Sequence, residues 1–554
     1  MSGILVVTGG AETARSVYRD ERRGYWAAGL TVVLEKHGLL GVAHAGPDAL
    51  LDRERLAAHP VVLVARQAPG TFTPDVVDAL QGLRGGALVE GPLPALLMDV
   101  LGMRAIGAGR REGLVQVVDA GLRAAAAPYG PAGGRVGSGA RRHVPVEAEM
   151  RWDRLPAPIA ADQAAAWRTP GWDVQRWVAD GDALDVLAEW TPAGDARGRQ
   201  PAVVRRGALV GTALGLLSFL AQSHTVEPFE GGEFRTWPRT AGVEALLLGL
   251  IDLLHARTGA VRARLRPWPS GVRFALNVRH DVDRPPTVEQ VADTVGGHAA
   301  LGTAATWYWR ARHLKPGARQ ATGNSALRLV AGDPRHEVAL HTERMWAGGE
   351  AEREAIEQVA GAPILGSSSH GDPTCFRYQG APNLLWAADQ GLLYTEFISH
   401  SHPVPHRPLA LTPEGDVVPL EVLCLPHHAS FDRSAKPGHT DPQGVLREAD
   451  RLSAAGGLVQ VLNHPDINVP ELFKCLAQIP RSGCWDVTAA DAAAWWRATH
   501  TPRGLASTAL ENGCLRLDAH AGADRLVIEL RSPDGATSER TVSLEAGGSI
   551  TVGP

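Results

Sequence analysis

The chain has 554 residues, of which 44% are hydrophobic and 21% charged, and its formal net charge is −5. This length predicts several domains, and the weakly acidic balance excludes the basic surface typical of nucleic-acid-binding proteins. The start of the chain has no signal-peptide pattern, no apolar run is long enough to predict a membrane span, and the five cysteines form no C-x-x-C pair, so we expect a reduced, cytoplasmic protein.

Residues 1–125 alternate short apolar runs (ILVV, GVAHAG, PVVLVA and GALVEG) with the helical patterns TPDVVDALQGL and LPALLMDVLGM. This alternation predicts an α/β domain with a parallel sheet. The segment GGALVEGPLPALL resembles class I glutamine-amidotransferase-like domains. That family's nucleophile is a cysteine, and residues 1–125 contain none. We therefore expect an amidotransferase-like domain without catalysis, with a structural or ligand-sensing role.

Two further regions carry no recognisable chemistry. Residues 126–271 begin in a Gly-, Ala-, Pro- and Arg-rich linker and continue as an α/β connecting region, with apolar helices predicted at 208–221 and 243–257. Residues 503–554 alternate apolar and polar positions between turn signals, as in LRLDAHA and RLVIELRS. This pattern predicts a small antiparallel β unit.

Between these regions, four apolar runs end in polar residues that suit a metal site. FALNVRHDVDRPP ends at Asp281, HEVALHTE at His341, APILGSSSHGDP at His370 and GLVQVLNHPD at His464. In parallel α/β folds the carboxyl ends of the strands meet on one face, where active sites form. We therefore expect these side chains to lie close together. Asn463 either orients His464 through a hydrogen bond or caps the turn.

The first of these runs carries two carboxylates. Asp281 and Asp283 lie two residues apart, so in an extended chain both point to one side. Two neighbouring carboxylates repel each other, and a metal ion removes that cost. In the second run His341 and Glu343 share a face, whereas His336 falls on the opposite face and is not counted as a ligand.

The motifs RHDVDR, HEVALHTE, HGDP and LNHP, in this order, resemble those of a divergent branch of the polysaccharide deacetylase (NodB-homology) superfamily. FRYQGAPNLLWAADQGL is similar to the superfamily's Arg-containing third motif, and DVTAADAAAWW to the end of its domain. The resemblance covers residues 272–500. It implies a deformed (β/α) barrel, preceded here by the parallel-sheet α/β domain and followed by the small β unit.

The resemblance also implies a divalent metal ion, with Zn²⁺ as the expected ion, and a role for each matching residue. Asp281 would be the general base and Asp283 a metal ligand. His341 would be the first ligand histidine, and His464 the general acid. Arg377 matches the arginine of the third motif and is a candidate catalytic residue.

Two departures from the superfamily pattern leave parts of this assignment open. The usual first motif has adjacent aspartates, whereas Val282 separates them here, so the two could exchange roles. The usual second motif has another histidine where this chain has Met345. We take His370 as the third ligand, with Glu343 behind it as a possible additional group.

The predicted function is metal-dependent removal of an acetyl or similar acyl group from the nitrogen of a carbohydrate. An Asp/His₂ site leaves positions open for water and a carbonyl oxygen. Two alternatives stay open: a C–N hydrolase acting on a small non-sugar amide, and a binding protein that kept the fold without turnover. The sequence does not name the substrate or the oligomeric state.

Overall fold

A computed structural model describes most of the chain. The described residues are 3–8, 25–65, 67, 69–91, 93–110, 113–127, 133–136, 173–179, 184–192, 199–213, 216, 220, 237–314, 320–342, 345, 348–370, 383–396, 403–411, 417–425, 429–430, 442–466, 469–510 and 514–553.

Strands and helices alternate through much of the described chain. The strands are β1 (Ile4–Val7), β2 (Val42–Ala45), β3 (Val61–Val64), β4 (Gly86–Glu90), β5 (Met103–Arg110), β6 (Gly113–Val117), β7 (Gly133–Val136), β8 (Asp173–Ala179), β9 (Asp185–Pro192), β10 (Gln200–Arg206), β11 (Leu209–Thr212), β12 (Arg262–Leu265), β13 (Phe274–Val282), β14 (Ala305–Trp309), β15 (His336–Thr342), β16 (Gly366–Ser369), β17 (Tyr394–Glu396), β18 (Leu409–Leu411), β19 (Val417–Pro419), β20 (Leu423–Leu425), β21 (Ala429–Ser430), β22 (Leu458–Asn463), β23 (Cys484–Asp486), β24 (Leu505–Ala509), β25 (Leu515–Ala519), β26 (Ala523–Arg531), β27 (Thr537–Leu544) and β28 (Ser549–Val552). The helices are α1 (Tyr25–Lys36), α2 (Arg53–Ala58), α3 (Pro74–Gln81), α4 (Ala95–Leu101), α5 (Ala120–Ala126), α6 (Trp237–Ala256), α7 (Val288–Leu301), α8 (Gln320–Ala331), α9 (Gly349–Ala360), α10 (Pro442–Ala454), α11 (Val469–Leu476) and α12 (Ala489–His500).

The N-terminal unit is built on one mixed sheet with the order β2-β1-β3-β4-β11-β10-β9-β6-β7. Its first five strands are parallel, as predicted for β1 to β4, and the remaining pairs are antiparallel. The sheet continues to Thr212, so the predicted boundary at residue 125 falls inside it. The apolar helix predicted at 243–257 lies in helix α6, which ends at Ala256.

The helix predicted at 208–221 is wrong at its start, because residues 209–212 form strand β11. Gly207 has a φ of +62°, which allows a tight turn out of β10. The chain after that turn pairs in parallel with β4, and Leu209 and Val210 are fully buried within the sheet. A short apolar run does not distinguish a buried helix from a buried strand, and here the turn and the pairing partner decide for the strand.

The unit that follows is built on a parallel sheet with the order β20-β17-β16-β15-β14-β13-β22-β21. Laid flat, eight strands would place the two edge strands about 34 Å apart. Leu425 ends β20 and Ala429 begins β21, and four residues of chain span at most about 14 Å. The sheet must therefore curl until its edges approach each other, which gives a half-closed parallel barrel.

Strand β13 lies near the middle of this curled sheet and is buried on both faces. Phe274, Leu276 and Val278 pack outward against the surrounding helices. The alternate positions point into the barrel, and they carry polar side chains near the carboxyl end of the strand. Helix α12 closes the opposite end, where the Ala489 N–H donates to Thr306 Oγ1 at 2.8 Å.

The units are joined by more than the chain itself. Strand β12, which precedes the barrel, pairs with β26 of the C-terminal antiparallel unit, which follows it. The hairpin β18–β19 reaches back to the N-terminal unit, where Leu409 is fully buried in that unit's apolar core. Arg407 adds an ion pair to Glu35 at 3.2 Å. Among the described helices, none is both long and apolar enough to cross a membrane.

Candidate metal centre

Three predicted ligands meet at the carboxyl edge of the curled sheet. Asp283, His341 and His370 each present one ligand atom, and these atoms all lie within 4.8 Å of one another. Asp283 Oδ1 is 3.1 Å from His341 Nε2 and 2.7 Å from His370 Nδ1. The strand register explains why Asp283 and His341 lie close together. Val282 of β13 and Leu340 of β15 both pair with Trp309 of β14, so the residues that follow them, Asp283 and His341, lie at the same level of the sheet.

The hydrogen bonds of His341 show why this group suits a cation. Its Nδ1 lies 3.2 Å from the carbonyl oxygen of Ser368, which can only accept, so Nδ1 carries the proton. Burial lowers the pKa of His341, which favours the neutral ring, with a lone pair on Nε2. That lone pair faces a carboxylate oxygen of Asp283 and a nitrogen of His370, both at 3.1 Å. A cation between these groups turns a repulsive arrangement into a favourable one, so the residues fit a divalent ion.

His370 offers a candidate ligand atom where the side chain of Met345 has none. Met345 is fully buried, and its backbone N–H donates to Asn383 Oδ1 at 2.9 Å. His370 follows β16, the neighbour of β15, and its N–H donates to the Thr342 carbonyl at 2.9 Å. This bond places His370 directly beside the end of the His341 strand.

Asp283 is surrounded by imidazole rings on both of its oxygens. Its Oδ2 lies 3.3 Å from His464 Nε2, whereas its Oδ1 faces His341 and His370. Burial alone would raise the pKa of Asp283, but the imidazole rings around it outweigh burial and hold the pKa well below its usual range. Asp283 is therefore ionised at any ordinary pH.

Asp281 lies next to the ligand group but is held by a different partner. Arg279 Nε and Nη2 donate to the two oxygens of Asp281 at 2.6 and 2.7 Å. Burial would raise the pKa of Asp281, but the positive charge of Arg279 lowers it. Asp281 Oδ2 is also 3.7 Å from His341 Nε2, so this carboxylate borders the candidate metal position without belonging to the three-atom group.

The remaining predicted residues are placed differently. Glu343 and Arg377 lie outside the described residues. Asn463 donates from Nδ2 to the backbone carbonyl of His464 at 2.9 Å, so within the described part of the chain it braces the turn rather than the imidazole ring.

Sequence reasoning missed the polar side chains inside the barrel below Asp281. Arg279 contacts Asp281, Ser368 and Glu396, and its guanidinium lies over the Tyr308 ring at 4.8 Å from the centroid. The alternation of polar residues on β13 was the available signal, because positions 277, 279 and 281 share one face of the strand, opposite Phe274, Leu276 and Val278. Glu396 had no comparable signal, since it lies 117 residues further along the chain.

No protein-family model matches the chain, and no curated protein sequence matches it either. Solved structures give partial similarities. A CE4 family pseudoenzyme from Bacillus anthracis matches with 11% identity and a TM-score of 0.28, over 41% of this chain and 66% of that one. The catalytic domain of a peptidoglycan N-acetylglucosamine deacetylase from Eubacterium rectale matches with 12% identity and a TM-score of 0.26, over 39% and 89%. The polysaccharide deacetylase from Bacillus cereus matches with 12% identity and a TM-score of 0.23, over 39% and 91%. TM-scores this low leave the function to be argued from the site itself.

Proposed function

We propose that this chain is a metal-dependent hydrolase that removes an acetyl or similar acyl group from the nitrogen of a carbohydrate. The observation that carries the proposal is the convergence of one aspartate and two histidines at the carboxyl edge of a parallel barrel. Asp281 borders this group at His341, and His464 borders it at Asp283. The acetylated sugar as substrate comes from the motif resemblance, and the geometry supports only the wider class of hydrolysis.

Asp283, His341 and His370 would hold the ion, and Zn²⁺ suits a site with two imidazoles and one carboxylate. A divalent ion bound there would lower the pKa of a water molecule and polarise a carbonyl oxygen. The carbonyl of Ser368 keeps the His341 ring in the tautomer that leaves Nε2 free to bind.

The two neighbouring side chains would handle the protons. Asp281 would accept a proton from the attacking water, because Arg279 keeps it ionised and fixes the direction of both oxygens. His464 would donate a proton to the leaving amine from its position beside Asp283 Oδ2. Neither residue is needed to complete the three-atom ligand group.

The first test is metal content together with acetate release from N-acetylated saccharides by the purified protein. Asp281→Asn and His464→Ala should keep the ion and lose about 10²–10⁴ in rate, the usual effect of removing one acid or base. If Asp281→Asn loses the ion while Asp283→Asn keeps it, the two aspartates have exchanged roles. If Asp281→Asn and Asp283→Asn both keep the ion and full activity, the proposed mechanism is wrong.

A substrate panel decides between the alternatives. Acyl release from small non-sugar amides but not from acetylated sugars would replace the carbohydrate substrate with another C–N hydrolase reaction. A wild-type protein that binds the ion but releases nothing across the panel would instead be a binding protein on this fold. A wild-type protein that binds no ion would refute the metal site itself.

A further inference from the structure

The barrel interior contains a set of buried polar groups that the three-ligand site does not require. Arg279 is 2% exposed and Glu396 is 1% exposed, and the guanidinium of Arg279 contacts two carboxylates at once, those of Asp281 and Glu396. Tyr308 and Gln460 donate to Glu396 Oε1, the second at 2.5 Å. All of these contacts lie on the barrel side of the sheet, directly beneath the candidate metal centre.

Such an arrangement is not explained by stability. Two carboxylates and one guanidinium removed from water lose solvation that their mutual attraction repays only in favourable geometry. Apolar side chains of similar volume would fill the same interior at lower cost, as Ala275, Ala339 and Leu458 do nearby in the barrel. A buried ionic group that does not contribute to stability is a candidate for a role in positioning.

The geometry points to that role. A guanidinium is planar and offers five N–H donors in a fixed fork. In Arg279, Nε and Nη2 hold Asp281, Nη2 also reaches Ser368 Oγ, and Nη1 holds Glu396. The Tyr308 ring lies against the face of the plane at 4.8 Å. Glu396 contacts Nη1, which takes no part in the contact with Asp281, so it holds the guanidinium plane at a second point and prevents the plane from rotating.

We infer that Glu396 is a positioning residue that fixes the orientation of the Asp281 carboxylate through Arg279. This inference rests on the proposed function, because it assigns Glu396 to the reaction that Asp281 would assist. Glu396 acts on Asp281, which lies beside the three candidate ligands, and it contacts none of those ligand atoms itself. Its removal should therefore lower turnover without lowering metal affinity.

The chain offers a matched control in Glu337. This carboxylate also lies among polar groups inside the barrel, where it accepts from Tyr394 at 2.8 Å and from Thr306 at 3.0 Å. Burial raises the pKa of Glu337 and of Glu396 alike, each to about 7. Glu337 instead accepts from the N–H of Ala490 at the closed end of the barrel, so its hydrogen bonds go to Ala490, Thr306 and Tyr394 and not to Arg279.

The experiment compares Glu396→Gln and Glu337→Gln for kcat, KM, Zn²⁺ affinity and melting temperature. We expect Glu396→Gln to lower kcat about 10- to 100-fold, the scale of a misplaced catalytic group, with KM and Zn²⁺ affinity unchanged. Glu337→Gln should keep kcat. In the Asp281→Asn background, Glu396→Gln should cost nothing further, because its effect passes through Asp281. An equal loss of kcat in both Gln variants, a parallel loss of Zn²⁺ affinity, or additive losses with Asp281→Asn would each overturn the inference.

Two measurements keep the test decisive. If Glu396→Gln does not fold, Tyr308→Phe removes one hydrogen bond to Glu396 while keeping the ring under the guanidinium, and it should lower kcat in the same direction. If the wild type shows no hydrolysis, the proposed function fails, and crystal structures decide the inference alone. Asp281 should then leave its bidentate contact with Arg279 in Glu396→Gln but keep it in Glu337→Gln. An unmoved Asp281 in Glu396→Gln would refute the positioning role.

Discussion

His341→Ala should remove the metal ion, and the structure sets the scale of the loss. His341 is 1% exposed, and its Nε2 lies 3.1 Å from both Asp283 Oδ1 and His370 Nδ1, so the substitution leaves two ligands of three. Replacing a residue that only supports a ligand typically weakens metal binding about 10- to 100-fold. Loss of the ligand itself should exceed the upper end of that range, which corresponds to about 2.7 kcal/mol of binding free energy.

The same loss should appear in thermal stability. At a free ion concentration 100 times the wild-type Kd, the bound ion stabilises the folded state by about 2.7 kcal/mol. For a domain of the size of the barrel region, residues 272–500, this stabilisation corresponds to roughly 5–10 °C in melting temperature. Adding a chelator should therefore lower the melting temperature of the wild type by this amount and leave that of His341→Ala nearly unchanged. Elemental analysis after dialysis at fixed free Zn²⁺ gives the direct measurement.

His336→Ala is the matched control for this experiment. His336 is on the same strand, β15, and is also buried, but its ring packs on the outer face of the sheet, 5.3 Å from His298 and 6.1 Å from Trp307 between ring centroids. Its removal should lower stability by leaving a cavity and should leave the metal content intact. The reasoning is refuted if His341→Ala is as metal-loaded as the wild type, or if both histidine variants lose the ion equally.

Three further predictions follow from the fold. Burial raises the pKa of Glu337 to about 7 from 4.5, so the folded state holds this proton more tightly than the unfolded state does. The contribution of the proton to the free energy of unfolding is complete below about pH 4.5 and is lost as the pH rises through 7. Denaturation curves of Glu337→Gln measured across this range should lack that decline. A Cβ at Gly366 would lie 1.9 Å from the Tyr394 ring, so Gly366→Ala should lower the free energy of unfolding by several kcal/mol, on the order of the largest single-residue effects. Gly296 lies in open space on α7, so Gly296→Ala should instead raise the free energy of unfolding by up to about 1 kcal/mol in the same assay. The chain should release no ammonia from glutamine, because no cysteine precedes Cys375; glutamine-dependent release would show that another residue is the nucleophile.

The three candidate ligands could be predicted to lie together because each lies at, or directly after, the carboxyl end of a strand. Parallel strands bring their carboxyl ends together whatever the lengths of the loops between them, so Asp283, His341 and His370 meet although 87 residues separate the first from the last. Local pattern was therefore enough to place these three residues together, whereas Val282 and Met345 mark the two positions where the chain departs from the superfamily pattern.

The support beneath the site could not be predicted in the same way. Glu396 ends a strand of three residues, Tyr394–Glu396, which is too short to show periodicity. Its contact with Arg279 depends on the curl of the sheet, which brings together strands that are not neighbours in it. The pairing of β11 with β4 is missed for a related reason, since the partners lie more than 100 residues apart and a short apolar run does not name its partner.

The pairing of β12 with β26 bears on whether the barrel can be exchanged between proteins on its own. The register pairs Arg262 with Arg531, so the chain enters and leaves the barrel region at neighbouring strands. Entry and exit at neighbouring strands would let the barrel region be exchanged between proteins as one module. The buried Leu409 opposes this, because a fragment cut at residues 272 and 500 would carry away part of the N-terminal core on its own hairpin. Barrel and N-terminal unit should therefore change together in evolution, and recombination between relatives should succeed only where both are taken from the same parent.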